Sequence, residues 1–430
     1  MSKKLTLNIM KNIKNEINSD AFLISNRVSS NKFIRKRKMP FVSIILFMLN
    51  LVKQTLQKEL TNFMNLINNK KESITKSAFS QSRLNLKPDA FKKLNRTLVN
   101  TFYDDKSFKK WNGFRLIAVD GSTLQLPNSD DIISKFGVTV NNTNHIMPTA
   151  RISTMFDLLN ETMIDSQIDK FKSSEYDLSV KHLDHIQQND LIIFDRGYAA
   201  IWLFFLMVNK KIDFVVRLSK SFIKESDIFF KSKEMSKIIK INSCSDVSKK
   251  RLEHFNLKFK PFKVKLVKVI LEDGEIEVLA TTLLDEEKYK TKIFKNLYFL
   301  RWGIETNYRH LKSQIQIENF TGKSSISVEQ DFYANCFITN VQSLFIHDAQ
   351  EELEQEKKNN KFKYKINKNL SLGYLKDRII PIFILKNEEK RYNELKKLFK
   401  LEPVPIRNNR KFSRKVKRRR KYPMNSKKSI

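Results

Sequence analysis

The stretch 289–320, YKTKIFKNLYFLRWGIETNYRHLKSQIQIENF, constrains this chain most. Apolar side chains fall at Ile293, Leu297, Leu300, Ile304, Tyr308, Leu311 and Ile315, in steps of three and four. That is the period of an amphipathic α-helix, sustained here for about six turns. A second row lies beside it: Tyr298, Arg301, Glu305, Tyr308 and Lys312. Its steps are also three and four, so these side chains share one stripe. A carboxylate therefore sits among cations and phenols. A core has no use for that charge, and a solvent face seldom carries the aromatic residues.

Upstream, the pattern changes from helical to extended. Residues 114–119 (FRLIAV) read as a buried strand ending in Asp120-Gly121-Ser122, and 123–126 as the start of a returning strand stopped by Pro127. Residues 129–136 and the Asn-rich run before His145 read as loop. Residues 150–159 and 162–168 read as a strand pair turned at Asn160-Glu161, followed by a helix over 176–186. The short apolar strand 191–194 ends in Asp195-Arg196-Gly197-Tyr198; a helix over 199–208 and a strand over 214–218 follow. An aspartate after an apolar strand is most often a turn former or a cap. Two of them at strand ends, followed by a helix carrying Glu305, place oxygen ligands where open α/β sheets gather their chemistry.

The spacing of Tyr298, Arg301, Glu305 and Lys312 resembles the Y-(2)-R-(3)-E-(6)-K signature of the insertion sequence 4 family of DDE transposases. Trp302-Gly303-Ile304, D-G-S-T at Asp120 and D-R-G-Y at Asp195 look like the same family. The resemblance implies an α/β fold: an RNase H-like catalytic domain over 106–350 with a β-rich insertion at about 219–288. An N-terminal helical DNA-binding region (1–105) would precede it, and a C-terminal helical region with a basic tail (351–430) would follow. The resemblance gives Asp120, Asp195 and Glu305 to Mg²⁺, with Mn²⁺ as a substitute, for cutting transposon ends and joining them to target DNA. It gives Tyr298, Arg301 and Lys312 to end phosphates, with Arg196 and Trp302 beside them on double-stranded DNA, in a homodimer holding two ends. Two other readings share the core: a metal-dependent nuclease without strand transfer, and a non-catalytic DNA-binding descendant of a transposase. The intact carboxylates argue against the second.

Composition agrees with a nucleic-acid partner. The chain of 430 residues carries 81 Lys and Arg against 46 Asp and Glu, a formal charge of +35. An A/T-rich gene inflates Lys and Asn but does not deplete acids, so a polyanion partner is the simplest cause. A membrane partner lacks a lipidation motif, an apolar leader with a cleavage site, or a spanning run; residues 41–52 are too short and include Ser43 and Asn50. Cys244 and Cys336 have no C-x-x-C partner, which fits a reducing cytoplasm. His145, His182, His185, His254, His310 and His347 show no metal-ligand spacing, and no phosphate-cradling G-x-x-x-x-G-K-[ST] loop occurs, so no nucleotide cofactor is expected. The expected setting is the bacterial cytoplasm, on the nucleoid when DNA is bound.

The flanks read as helical. Residues 1–39 form a basic lead-in with a charge knot at Arg35 to Lys38, and a helical pattern runs from Pro40 to Ile67. Helices over 75–86 and from Lys87 through Leu98, joined by a short turn, suit a helix-turn-helix with Lys76 and Arg83 toward DNA. In the insertion, 260–271 and 276–284 read as a hairpin. Hairpin-forming relatives stack a flipped base on an insertion tryptophan, whereas this chain has Trp111, Trp202 and Trp302; Phe222, Phe229, Phe230 and Phe262 are the aromatic alternatives. Helices are expected over 328–356, 370–385 and 389–400, and a tail from Arg407 without an acidic residue can hold phosphates by counterion release.

Overall fold

The computed structural model describes residues 3–35, 37–50, 54–68, 74–140, 146–385 and 387–407. The tail beyond residue 407, His145 and Lys36 of the charge knot lie outside the described residues. Helices open the chain: α1 (Lys3–Ile17), α2 (Asp20–Asn26), α3 (Phe41–Leu49), α4 (Leu56–Asn68), α5 (Lys76–Arg83) and α6 (Asp89–Asp104). Capping follows from sequence: the Thr75 hydroxyl accepts from the Ala78 N–H at the start of α5.

The sheet begins with β1 (Arg115–Gln125), β2 (Val138–Val140), β3 (Ile146–Asp157), β4 (Thr162–Lys170), β5 (Asp190–Phe194) and β6 (Asp213–Leu218). Their order is β4-β3-β1-β5-β6, with β1–β3 and β3–β4 antiparallel and β1–β5 and β5–β6 parallel. That is the RNase H-like arrangement. The insertion contributes β7 (Ser236–Ile241), β8 (Phe262–Ile270) and β9 (Ile276–Thr281), which join antiparallel at the β6 edge in the order β6-β9-β8-β7. It thus extends the same sheet rather than forming a second one, and β7 becomes the sheet's new edge strand. Between these strands lie α7 (Asp130–Phe136), α8 (Glu175–Lys181), α9 (Ile201–Asn209), α10 (Lys224–Lys231) and α11 (Asp246–Glu253).

After the sheet come α12 (Ile293–Phe299), α13 (Trp302–His310), α14 (Ser325–Glu356), α15 (Lys368–Ile384) and α16 (Glu388–Leu401). α14 carries buried side chains around its whole girth, from Val328 and Phe332 to Asn340 and Phe345. A helix buried on all sides must satisfy its polar residues internally. Asn340 does so on β4: its Oδ1 accepts from Met163 N at 2.8 Å, and its Nδ2 donates to Met163 O and Asn95 Oδ1 at 2.7 Å each. α14 packs against α6 on one side and α16 on another, tying both flanks to the core.

Three expectations need correction. β1 does not turn at Asp120-Gly121-Ser122 but runs straight through, with Asp120 opposite Thr154 and Gly121 opposite Ser153. Residues 130–136 are the helix α7, not loop: the Ser129 hydroxyl accepts from Ile132 N, and Asp130 and Asp131 complement the helix dipole. The stretch 289–320 is not one uninterrupted α-helix. Between α12 and α13 the backbone tightens to three-residue hydrogen bonds, such as Gly303 N to Leu300 O at 2.9 Å, and residues Leu311–Ile315 widen into a π turn. Leu300 and Arg301 stay right-handed helical, so the stripe keeps one side.

Candidate active site

The parallel β1–β5 ladder runs from Arg115 opposite Asp190 to Ala118 opposite Ile193. Asp120 and Asp195 each lie two residues beyond that last pair, where the two strands part. Asp195 caps the turn Arg196–Tyr198, its Oδ1 accepting from Gly197 N at 2.8 Å. A Cβ on Gly197 would come within 3.1 Å of that same oxygen, so glycine lets the carboxylate fold back onto the turn. Asp120 Oδ1 accepts from Gly121 N at 2.8 Å.

The helical stripe lands on the same part of β1. Tyr308 Oη donates to the Asp120 carbonyl at 2.6 Å, and Lys312 Nζ donates to Ser122 Oγ at 2.9 Å. Arg301 Nη2 donates to Glu305 Oε1 at 2.9 Å, one helical turn away. The Arg301 guanidinium lies 4.9 Å from the Trp302 ring centre and 5.8 Å from that of Tyr298. Its Nε is buried and lacks a hydrogen-bond partner.

Charge gathers here. Burial, reinforced by the carboxylates of Asp195 and Glu305, pushes Asp120 up from 3.8 to about 7, against the lowering effect of the Gly121 N–H and Arg301. Burial also lifts the Tyr198 phenol well above its ordinary value, with Asp120, Glu175 and Asp195 adding to it. The Tyr198 hydroxyl is buried without a partner. Among the described residues no three His, Cys, Asp or Glu side chains converge tightly enough to hold an ion as they stand. The donor chemistry nonetheless fits a hard divalent cation: carboxylate oxygens whose mutual repulsion a positive ion relieves.

The raised Asp120 value has a consequence for stability. A carboxyl that keeps its proton to about 7 in the folded state, against 3.8 ordinarily, stabilises the fold at low pH. That contribution is complete below about pH 4 and lost as pH rises through about 7. The ceiling is about 4 kcal/mol, reduced because solvent reaches the group. Metal-free Asp120→Asn should therefore gain on the native sequence between about pH 5 and about pH 8 in thermal unfolding. Parallel pH profiles for the two proteins would show that Asp120 titrates normally.

Several side chains were missed by reading the sequence. Glu175, at the start of α8, approaches Gly121 so closely that a Cβ there would meet its carboxyl at 3.1 Å; the Arg151 guanidinium holds it. Gly121 in D-G-S-T is the available signal, since its backbone needs no positive φ and only close approach demands glycine. Lys292, Lys295, Phe299, Thr306 and Arg309, together with the expected Trp302, are spaced three and four apart and form an exposed stripe beside the Arg301–Glu305 row. Phe299 is 69% and Trp302 42% exposed.

Other expected residues are placed differently. Arg83 does not reach toward DNA: it is 1% exposed and bonded to Gln330, Thr321 and Asp331. Lys76, by contrast, is exposed, as is Arg196. Tyr298 is buried beside Leu297 and Phe294 in a small apolar cluster, under the Arg301 guanidinium. Phe229 and Phe262 are buried, and Phe222 and Phe230 pack against the core, so none of these four presents an open ring for stacking.

The sequence pattern of the family described as "Transposase DDE domain" matches residues 111–341. The chain is 21% identical over 308 residues to the transposase InsG for insertion sequence element IS4 of Escherichia coli (strain K12), covering 70% of this chain and 68% of that protein. It is also similar to the piggyBac transposase in a cryo-EM structure of its synaptic complex with hairpin DNA, with a TM-score of 0.45 and 11% identity, covering 94% of this chain and 86% of that one. Among the described residues no helix is long and apolar enough to cross a membrane.

Proposed function

We infer how a chain that belongs to the DDE transposase family, and serves as the transposase of an insertion sequence, carries out its reaction on DNA. Asp120, Asp195 and Glu305 would hold a divalent cation, Mg²⁺ by the hardness of their oxygens and Mn²⁺ as a substitute. When bound, it supplies an activated hydroxyl nucleophile and stabilises the leaving oxygen of a phosphodiester. The observation that carries this reading is electrostatic. Three carboxylates come from three separate elements, and burial, with Asp195 and Glu305 adding to it, pushes Asp120 up to about 7.

The chain's own residues supply the rest. Glu305 shares its carboxylate with Arg301, which keeps Nε free to turn toward a phosphate. Arg301 and Lys312 flank the carboxylates as fork donor and point charge, with Tyr298 packed under the guanidinium. Arg196 and the exposed stripe from Lys292 to Arg309 continue a cationic, aromatic path away from them, and Lys76 and the overall charge of +35 extend it to double-stranded DNA. We place the catalytic domain at 106–350, its insertion at 219–288, and the helical flanks at 1–105 and 351–430, with two copies acting on two ends.

The test is an end-joining assay with the DNA bordering the gene and a supercoiled target, in Mg²⁺. Joined products are expected; cutting without joining would leave a nuclease. In the same assay Arg301→Lys should lose about tenfold or more in joining while still binding the cation, because a lysine reproduces neither the fork nor the stacking. Native joining by Arg301→Lys would remove its phosphate role.

A further inference from the structure

Asp165, His182 and Ser153 form a buried line of hydrogen bonds that ends on the Asp120 backbone. His182 opens the turn after α8 and is fully enclosed. Its Nδ1 lies 2.6 Å from Asp165 Oδ2, and its Nε2 lies 2.9 Å from Ser153 Oγ. Ser153 Oγ donates to the Asp120 carbonyl at 3.4 Å, the oxygen that also accepts from Tyr308 Oη. Asp165 is itself steadied by Gln167 Nε2 at 2.6 Å, with His185 Nε2 3.7 Å from its other oxygen.

A serine, an imidazole and a carboxylate in line have the geometry of an activated nucleophile. Here that role is closed. Ser153 is 0% exposed and sits inside the β1–β3 ladder opposite Gly121, so no substrate reaches its hydroxyl. The line serves a different need. β1 loses its β5 partner after Ala118, and from there to Asp120 it is paired on the β3 side. A carboxylate carried on a half-paired strand, repelled by its neighbours, would drift. Catalytic geometry tolerates only about 0.5 Å of such drift.

We propose that Asp165, His182 and Ser153 are positioning residues, which fix the Asp120 backbone from the side opposite the solvent and act on it through the Ser153 hydroxyl. Both imidazole nitrogens donate, Nδ1 to Asp165 and Nε2 to Ser153 Oγ, so the hydroxyl keeps its own proton for the Asp120 carbonyl, and the hydroxyl and the Tyr308 phenol together clamp that oxygen. The proposal rests on Asp120 being part of the catalytic centre.

Ser153→Ala tests it, because it removes one oxygen and leaves the packing intact. The full-length protein is assayed for thermal midpoint, for binding of its end DNA, and for cleavage turnover against DNA and Mg²⁺ concentration. Turnover at saturating DNA should fall between about tenfold and about a hundredfold, the scale of a small misplacement of a reacting group. KM for DNA should stay near native, the thermal midpoint should fall modestly because buried His182 Nε2 loses its partner, and more Mg²⁺ should be needed for half-maximal rate. Asp165→Asn should also lower turnover, but in the Ser153→Ala background it should cost nothing further, since its effect passes through that hydroxyl. Native turnover by Ser153→Ala per folded molecule overturns the proposal, as do losses that multiply in the double variant. Asp120→Asn is run alongside. If it still cuts, the catalytic reading fails and the positioning role falls with it; if it is dead while Ser153→Ala is native, only the positioning role fails.

Discussion

Glu305→Gln and Asp120→Asn should each yield a folded protein that binds its DNA ends and does not cut them. Each change keeps the shape of the side chain and removes one negative charge. In the proposed site the three carboxylates come from three elements: Asp120 from within β1, Asp195 after β5, and Glu305 from α13. Removing one relieves repulsion, as the elevated Asp120 value implies, so folding should be unharmed. Cation affinity should fall, because hard divalent ions depend on anionic oxygen ligands. Cleavage should drop by about three orders of magnitude or more, the scale of several kcal/mol of lost charge stabilisation in the transition state. Mn²⁺ should restore a trace. The measurement is nicking of a labelled end duplex beside a gel shift on the same DNA. Normal cutting by Glu305→Gln would sink the assignment of α13 to the catalytic centre. Loss of cutting through unfolding would be seen in the thermal midpoint, and the Asp120→Asn protein then carries the test.

Arg83→Ala should damage the fold rather than DNA contact. The guanidinium is 1% exposed and donates from Nε to Gln330 Oε1 at 2.8 Å, from Nη1 to Thr321 Oγ1 at 2.6 Å, and from Nη2 to Asp331 Oδ1 at 2.8 Å and Ser327 O at 3.1 Å. Gln330 answers by donating to the Arg83 and Leu86 carbonyls at 2.9 and 2.6 Å. This network joins the end of α5 to the first turns of α14. Truncation would leave Asp331 buried without its cation, at a cost of about 3–5 kcal/mol. Arg83→Lys should not restore it, since one ammonium cannot serve four acceptors in a planar fork. Lys76→Ala, on the exposed side of the same helix, should leave the unfolding midpoint alone and weaken DNA binding. An Arg83→Ala protein of native stability that has lost DNA affinity would reverse this assignment.

Arg83 and Lys76 also illustrate what local sequence conveys. Both are cations on polar positions of one short helix, and nothing local separates them. A partner 248 residues away, Asp331, draws one of them inside. The insertion phenylalanines are the same kind of case, since burial depends on strands that add to the far sheet edge. Capping and pattern, being local, were legible: the strand pair turned at Asn160-Glu161, the insertion hairpin at β8 and β9, and the terminal helices lie close to where their periodicity places them.

The sequence by itself carried the resemblance to the family, in the spacing of Tyr298, Arg301, Glu305 and Lys312, and it put these side chains on one face, because residues three and four apart on a helix are neighbours. It determined the order of strands and helices, because apolar periodicity and chain breaks are properties of neighbouring residues. The tertiary structure decided which backbone Asp120 stands on, a straight strand half-paired beyond Ala118, and that Glu175, Tyr198 and the Asp165–His182–Ser153 line come to its side. These depend on sheet register and on close approach between segments far apart in the chain, which carry no period in the sequence. Charge follows the same division. The surplus of cations is written in composition, but the rise of Asp120 to about 7 needs the burial and the two neighbouring carboxylates that only folding brings together.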